Sequence, residues 1–367
     1  MLTYAFWNNK GGTGKTSLNF QTILMYAKRH PDKRVLAMDR CPQANLSELL
    51  LGGSVGTGSH SLLEIHARDP RPSVGGYFQM RLPNPHQAPD FDPTTYLVKP
   101  SDFNQNAQPN VDLLPGDPLL ELQTTAVSTL ANTQIPGQNT WLSIVDWLHD
   151  FVAKLGDTYD VLFVDCNPSF SIYTQIALSI ADRLVLPVMA DDSSRRALEN
   201  AFSLIYGLEL PAKIYSQHNF ASRLTAADRE LPKVHLIVKN RLTQYMGSAS
   251  AYAAVLESID IRLQRLLRDQ PSLFTFEHLD AGIVEMRDFQ TTGVVAFARG
   301  LSFADIKSGR HTIGDQDVQV KASYKENCLK ALNELVDRVA RARTRIHFRA
   351  ASKRHPAGWF GVGSALR

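Results

Sequence analysis

The residues best suited to chemistry lie within the first 17 positions. FWNNKGGTGKTS (6–17) sets Gly11, Gly12 and Gly14 among Lys10, Thr13, Lys15, Thr16 and Ser17. Glycines let backbone N–H groups turn inward toward phosphate oxygens, and the loop feeds an expected helix whose N-terminal dipole favours the same anion. On this reading Lys15 reaches the β- and γ-phosphates, and the Thr16 hydroxyl ligates Mg²⁺. The strict pattern G-x-x-x-x-G-K-[ST] fails at its first glycine, where Asn9 stands. One lysine is enough for such a loop, so Lys10 needs a separate explanation. A magnesium–nucleotide site also needs a carboxylate at the end of a neighbouring strand. Asp165, closing DVLFVD (160–165), has that placement, and Asp39, closing RVLAMD (34–39), is the second candidate.

The elements that must position these groups follow from apolar patterning. LTYAFWN (2–8) reads as a strand, SLNFQTILMYAKRH (17–30) as a helix and RVLAMD as a second strand, the opening of a parallel α/β sheet. Further strands are expected at 160–165, 183–188 and 234–240, and TWLSIVDWLHDFVAKL (140–155) reads as a helix. The fold class is therefore α/β, a doubly wound, mostly parallel sheet flanked by helices. The expected organisation is one domain over 1–325, a basic helix over 326–352 packed on it, and a tail over 353–367. Within the domain, 52–110 is rich in glycine and proline and is expected to be a partly mobile insertion, since structureless loops beyond ~12–15 residues are uncommon in compact domains.

Composition narrows the setting. With 44% hydrophobic and 20% charged residues the 367-residue chain resembles an ordinary globular protein. No apolar run reaches the ~18 residues of a spanning helix, and the start lacks the leader of a secreted protein. Cys41, Cys166 and Cys328 show no C-x-x-C spacing, which disfavours a zinc site or disulfide framework and fits a reducing cytosol.

KGGTGKTS resembles the deviant Walker A motif of the ParA/MinD group of P-loop ATPases, in which a signature lysine precedes two glycines. MDRCPQANLS (38–47) is similar to that group's second motif, D-x-D-P-Q-x-N, and YDVLFVDCNPSF (159–170) to its third, D-x-P-P-S. The likeness runs from residue 1 to about 305. It implies a P-loop ATPase using ATP and Mg²⁺, with Lys10, Gly11, Gly12, Thr13, Gly14, Lys15, Thr16 and Ser17 around the phosphates and Thr16, Asp39 and Asp165 around the metal. It also implies an ATP-sandwich homodimer in which Lys10 crosses to the partner's phosphates, much as an arginine finger acts in trans. The resemblance further places Asn240 near the adenine; a turn or cap role is equally open from the residue alone. The catalytic set carried over is Lys10, Lys15, Asp39 and Cys41.

Cys41 is where the chain departs from the pattern, because it replaces the second Asp of D-x-D. A thiol of ordinary pKa near ~8.5 is a poor acceptor for a water proton. Three outcomes are open: Asp39 takes over the water, hydrolysis is very slow, or Cys41 is a redox-sensitive switch. Slow hydrolysis is the expectation. Asn167, where proline is usual, is a milder departure.

Positive charge gathers near the C-terminus. Seven basic residues lie between Arg338 and Arg354 with no acid among them, against a net charge of +3 for the whole chain. Leu329, Leu332, Val336, Val339 and Ile346 recur at helical spacing, while Arg338, Arg341, Arg345 and Arg349 form a separate ridge. The ridge suits a phosphate backbone and has no base-reading signature, so non-specific, salt-dependent DNA binding is expected, with an anionic membrane surface as the competitor. The resulting expectation is a ParA-type ATPase, cytoplasmic and nucleoid-associated. It would position or partition a plasmid, chromosome or protein cargo and release it when a ParB-like or adaptor partner stimulates hydrolysis. The alternatives are a MinD-like membrane-associated ATPase and an ATP-binding clamp that barely turns over. The absence of a DNA-reading segment ahead of residue 1 points away from the longer plasmid type.

Overall fold

Strands that are apolar at nearly every position need cover on both faces, and a parallel sheet between helices supplies it. The computed structural model describes residues 1–242 and 250–341. Strand β1 (Leu2–Phe6) leads through the glycine loop into α1 (Lys15–Arg29) and β2 (Val35–Asp39). Three short helices follow: α2 (Asn45–Leu50), α3 (Gly58–His66) and α4 (Val74–Arg81). Then come β3 (Val111–Leu114), α5 (Leu119–Asn132), α6 (Thr140–Val145), α7 (Trp147–Leu155) and β4 (Val161–Asp165). Next are α8 (Ile172–Leu178), β5 (Arg183–Val188), α9 (Asp192–Tyr206), α10 (Phe220–Ala226) and β6 (Lys233–Leu242). The described chain ends with α11 (Ser250–Asp269), α12 (Leu279–Gly282), β7 (Ile283–Arg287), α13 (Gln290–Arg299), β8 (Gly309–Ile313), β9 (Gln316–Val320) and α14 (Ala322–Ala340).

The main sheet has the order β3-β2-β4-β1-β5-β6-β7, and every pairing in it is parallel. Alternate side chains feed two cores. Ala5, Trp7, Leu36, Met38, Leu162 and Val164 face one, built with helices α4 to α11. Tyr4, Phe6, Val35, Ala37, Val161 and Phe163 face the other, built with α1, α2, α13 and α14. The strand order reverses around β1, so the crevice at the carboxyl ends of β1, β2 and β4 is where an open α/β sheet takes its ligand.

Several expectations change here. The segment expected to be a partly mobile insertion carries α3 and α4 and buries Val74, Tyr77, Phe78 and Tyr96 in the first core. Its glycines serve close packing: a Cβ on Gly75 would lie 2.6 Å from Asp117 Cγ, and one on Gly76 only 2.1 Å from the Arg71 carbonyl. The helix read over 140–155 is two helices, separated at Asp146. The antiparallel β8–β9 hairpin was not foreseen. The C-terminal helix begins earlier than expected, at Ala322. It buries Leu332, Val336 and Val339 as the spacing predicts, along with Leu335. Ile346 lies outside the described residues.

Candidate nucleotide site

Gly14, with φ of 85°, ends the loop and caps α1 without any side-chain bond, so the helix's first N–H groups stay open to a ligand. Lys15 is buried in the first turn, and its Nζ donates to the Lys10 carbonyl at 3.0 Å. Burial pushes its pKa down, while Asp165 opposes the shift. An ammonium curled onto its own loop, with only a loop carbonyl as its acceptor among the described residues, is poised for a better anion. The Thr16 hydroxyl donates to Asp165 Oδ2 at 2.7 Å, and Asp165 Oδ1 is buried with no hydrogen-bond partner.

Asp165 and Asp39 stand opposite each other in register on β4 and β2. Burial, and then the neighbouring Asp39, raise the Asp165 carboxyl to about 7. Asp39 is raised as well, chiefly by burial. A pair of buried carboxylates, one with an orphaned oxygen, beside a threonine hydroxyl is a donor set that calls for a hard dication. Of the expected Mg²⁺ residues, Thr16 and Asp165 fit that ion, whereas both Asp39 oxygens already accept hydrogen bonds from the protein. Asp39 is held from three sides: Oδ1 accepts from Cys41 N at 2.9 Å, and Oδ2 accepts from Ser47 N at 2.9 Å and Ser47 Oγ at 2.8 Å. Ser47 Oγ in turn accepts from Gly116 N at 2.9 Å. Arg40, between Asp39 and Cys41 in sequence, lies over the Phe78 ring at 4.6 Å.

Cys41 is 8% exposed, and its thiol donates to Gln43 Oε1 at 3.4 Å. Burial, with the Asp39 carboxylate beside it, pushes the thiol up to about 12. A protonated, enclosed thiol is neither a water-activating base nor an oxidation-prone thiolate. Its enclosure speaks against the redox reading. The geometry also weakens the idea of Asp39 as a substitute base, because backbone and serine donors already claim both its oxygens.

Lys10 does not dangle from the loop. Its Nζ donates to Asp191 Oδ1 and Oδ2 at 2.7 and 2.6 Å and to Ser194 Oγ at 3.2 Å. Asp191 caps α9, accepting from Ser194 N at 2.7 Å. Partial burial works against ionisation of Asp191, yet Lys10 and the serine donors bring its carboxyl down to about 2. Asn8 fixes the approach: its Nδ2 donates to the Pro187 carbonyl at 2.7 Å and its Oδ1 accepts from Lys10 N at 3.0 Å.

Asn240, at the end of β6, donates from Nδ2 to the Thr13 carbonyl at 2.8 Å and leaves Oδ1 buried without a partner. It also lines a cavity of ≈ 200 Å³ with Gly14, Ser17, Arg241, Phe289 and Phe297. The structure thus brings Asn240, Lys15, Thr16, Asp39, Cys41 and Asp165 to one end of the sheet. The basic ridge fares differently. Arg338 donates to the carbonyls of Asp280 and Ala281 at 3.0 and 2.9 Å and pairs with Glu334 one turn earlier. An acid just upstream of the ridge therefore does form an i,i+4 pair, and Arg338 is bound within the protein rather than free for an external phosphate. Arg341 is exposed, while Arg345 and Arg349 lie outside the described residues. Ser47, Asn8 and Asp191 were not singled out from the sequence. The signal available for Asp191 was its place just beyond β5.

A family model described as an AAA domain matches residues 1–212. The virulence plasmid ParA family protein pGP5-D of Chlamydia psittaci is 30% identical over 191 residues, 51% of this chain and 56% of that protein. The cell division protein PomZ of Myxococcus xanthus is 26% identical over 204 residues, 56% of this chain and 51% of that one. The chain thus spans about half the length of these curated relatives. Among solved structures, apo McdA of Cyanothece superposes with a TM-score of 0.55 at 14% identity, covering 91% of this chain and 98% of that one. An ATP complex of a McdA variant from Cyanothece gives 0.57 at 15% identity, with coverages of 94% and 98%. At such identities these likenesses bear on the fold alone.

Proposed function

The chain belongs to the ParA/MinD family of P-loop ATPases, and from that premise we propose that it is an ATP-dependent dimerisation switch that positions or partitions a cargo. The observation that carries this reading is the division of labour between the loop's two lysines. Lys15 is buried against its own loop, whereas Lys10 leans away onto Asp191 at the surface of the site. When bound, Mg²⁺ would neutralise the charge that develops on the phosphates. Thr16 and Asp165 would hold it, Lys15 and the loop N–H groups would hold the phosphates, and Asn240 would meet the base. Lys10 would exchange Asp191 for a phosphate across a two-fold interface. Turnover would be slow, because the position usually filled by a water-orienting carboxylate holds a neutral thiol.

The wider proposal is that the ATP-bound dimer holds DNA non-specifically, is nucleoid-associated in the cytoplasm, and is released by an activating partner. Exposed Arg341 and the basic residues that follow it in sequence support this reading, and Arg338 does not. Among the described residues no helix is long and apolar enough to cross a membrane.

The test is sedimentation and DNA retention with ATP, with ADP and without nucleotide, for wild type and Lys10→Ala. We expect an ATP-specific dimer that retains DNA, and a monomeric Lys10→Ala that still binds ATP. A Lys10→Ala chain that dimerises like wild type would refute the trans role, and retention on anionic liposomes instead of DNA would replace DNA by a membrane surface.

A further inference from the structure

A cavity of ≈ 510 Å³ opens beside Asn9, bounded by α8, α9, α10 and the chain joining the last two. Phe170, Leu204, Leu210, Tyr215 and Phe220 make its apolar walls. Apolar surface continues outward past the opening, since Ile214 and Tyr215 are 72% and 55% exposed. None of the lining residues is acidic, and the charge-bearing groups are Arg223 and His218. Arg223 is half-buried and stacks on the Trp141 ring at 4.3 Å, and no ion pair to it occurs among the described residues. Burial lowers its pKa. An unpaired guanidinium at the edge of an apolar cavity favours an anion joined to an apolar body. The exposed apolar lip is what a macromolecular ligand would cover and a free small acid would leave bare.

We propose that this cavity docks a segment of a partner protein, which inserts one large apolar side chain and sets a neighbouring carboxylate on Arg223. One wall comes from the segment that follows β4. Phe170 packs on Trp7 at 5.6 Å and on Phe220 at 5.8 Å, and Trp7 Nε1 donates to the Asn167 carbonyl at 3.0 Å. Residues 167–170 lie two to five positions after Asp165, and Asn9 directly precedes Lys10, so a docked segment would touch loops that run into the proposed nucleotide site. The inference rests on the positioning-ATPase reading only for that link, which names the chemistry of the activating partner.

The test is an array of immobilised heptapeptides carrying Leu, Phe or Trp followed by Asp, Asn or Lys, probed with the full chain in the absence of nucleotide. Asp peptides should be retained about 10-fold better than their Asn or Lys counterparts, and Arg223→Gln should abolish that preference. Ser203→Trp, which sets a bulky ring at a lining position on α9, should weaken retention of all apolar peptides. Equal retention of Asp and Asn peptides, indifference to Ser203→Trp, or no retention at all would each overturn the proposal. So would 3-phenylpropionate binding as tightly as the peptides, which would assign the cavity to a free acid. A chain that binds the peptides but fails to dimerise with ATP would sink the switch reading and leave the docking site intact. The reverse result would remove the docking site alone.

Discussion

A thiol at position 41 limits what the site can ask of an attacking water. Cys41 is enclosed with its thiol pKa pushed up, and Asp39 is already engaged by Cys41 N and Ser47, so position 41 offers no carboxylate to orient that water. Restoring one should therefore act on turnover rather than on affinity. Cys41→Asp is expected to raise steady-state phosphate release by about 10-fold or more with little change in ATP affinity. Unchanged low rates would take Cys41 out of the explanation. Gly14 answers to a different constraint, because a Cβ there would sit 2.2 Å from Asn240 Nδ2 on a backbone with φ of 85°. Gly14→Ala should cost about 1–2 kcal/mol in urea unfolding and weaken nucleotide binding by displacing Asn240. Normal nucleotide titrations of that variant would show that the close approach is dispensable. At this scale residue type and spacing were enough to pick out Lys15, Thr16 and Asp165, which the structure brings together. The sequence was opaque where two like residues adjoin: in ADDSS (190–194) nothing local says that Asp191 rather than Asp192 takes Lys10.

The glycine-rich region shows how composition hides an element. Helix α4 is only eight residues long and carries two glycines, yet Tyr77 and Phe78 from it anchor an aromatic cluster. Tyr77 lies 5.0 Å from Phe151 and 5.5 Å from Tyr96, and Phe78 lies 5.0 Å from Trp147. Glycine lowered the expectation of helix, and tertiary packing overrode it. Phe78→Ala should then cost about 3–5 kcal/mol in denaturant unfolding, the range for a buried aromatic. A cost below about 1 kcal/mol, the range of surface changes, would return the segment to the status of a dispensable loop. Insertion and site are also linked: His66 Nε2, on α3, meets the Gly116 carbonyl at 2.9 Å, and Gly116 N donates to Ser47, which holds Asp39. The β8–β9 hairpin escaped notice because its exposed alternation contains few apolar residues to mark a face.

Across the whole molecule, the parallel α/β character was legible because apolar runs alternate with helical periods. The strand order was not, because β1 finds β4 and β5 through contacts roughly half the chain apart that no local pattern encodes. His235 on β6 joins this sheet to α14, meeting Thr275 at 2.7 Å and the Arg338 carbonyl at 3.2 Å. Burial, assisted by Arg183 and Arg338, lowers its pKa to about 4, although the Arg338 carbonyl favours the charged form. Between that value and the unfolded value near 6.5 only the unfolded chain takes up the proton, so stability falls as pH drops through this window. Asp165, raised to about 7 without a bound cation, runs the other way and loses stability as pH rises. The comparison must therefore be with His235→Gln, whose unfolding free energy should depend less steeply on pH by up to about 3 kcal/mol from pH 6.5 to 4. Parallel curves for the two proteins would refute the assignment. Lys10, finally, already owns a counter-ion. On the proposed trans role, carrying it to a second nucleotide would be an exchange of anions rather than a first capture, and would leave Asp191, among the described residues, with only the Ser193 hydroxyl and the Ser194 N–H as donors at the head of α9. In the proposed two-fold assembly the exchange would happen twice, so the two states would differ in where negative charge is uncovered as much as in which surfaces touch.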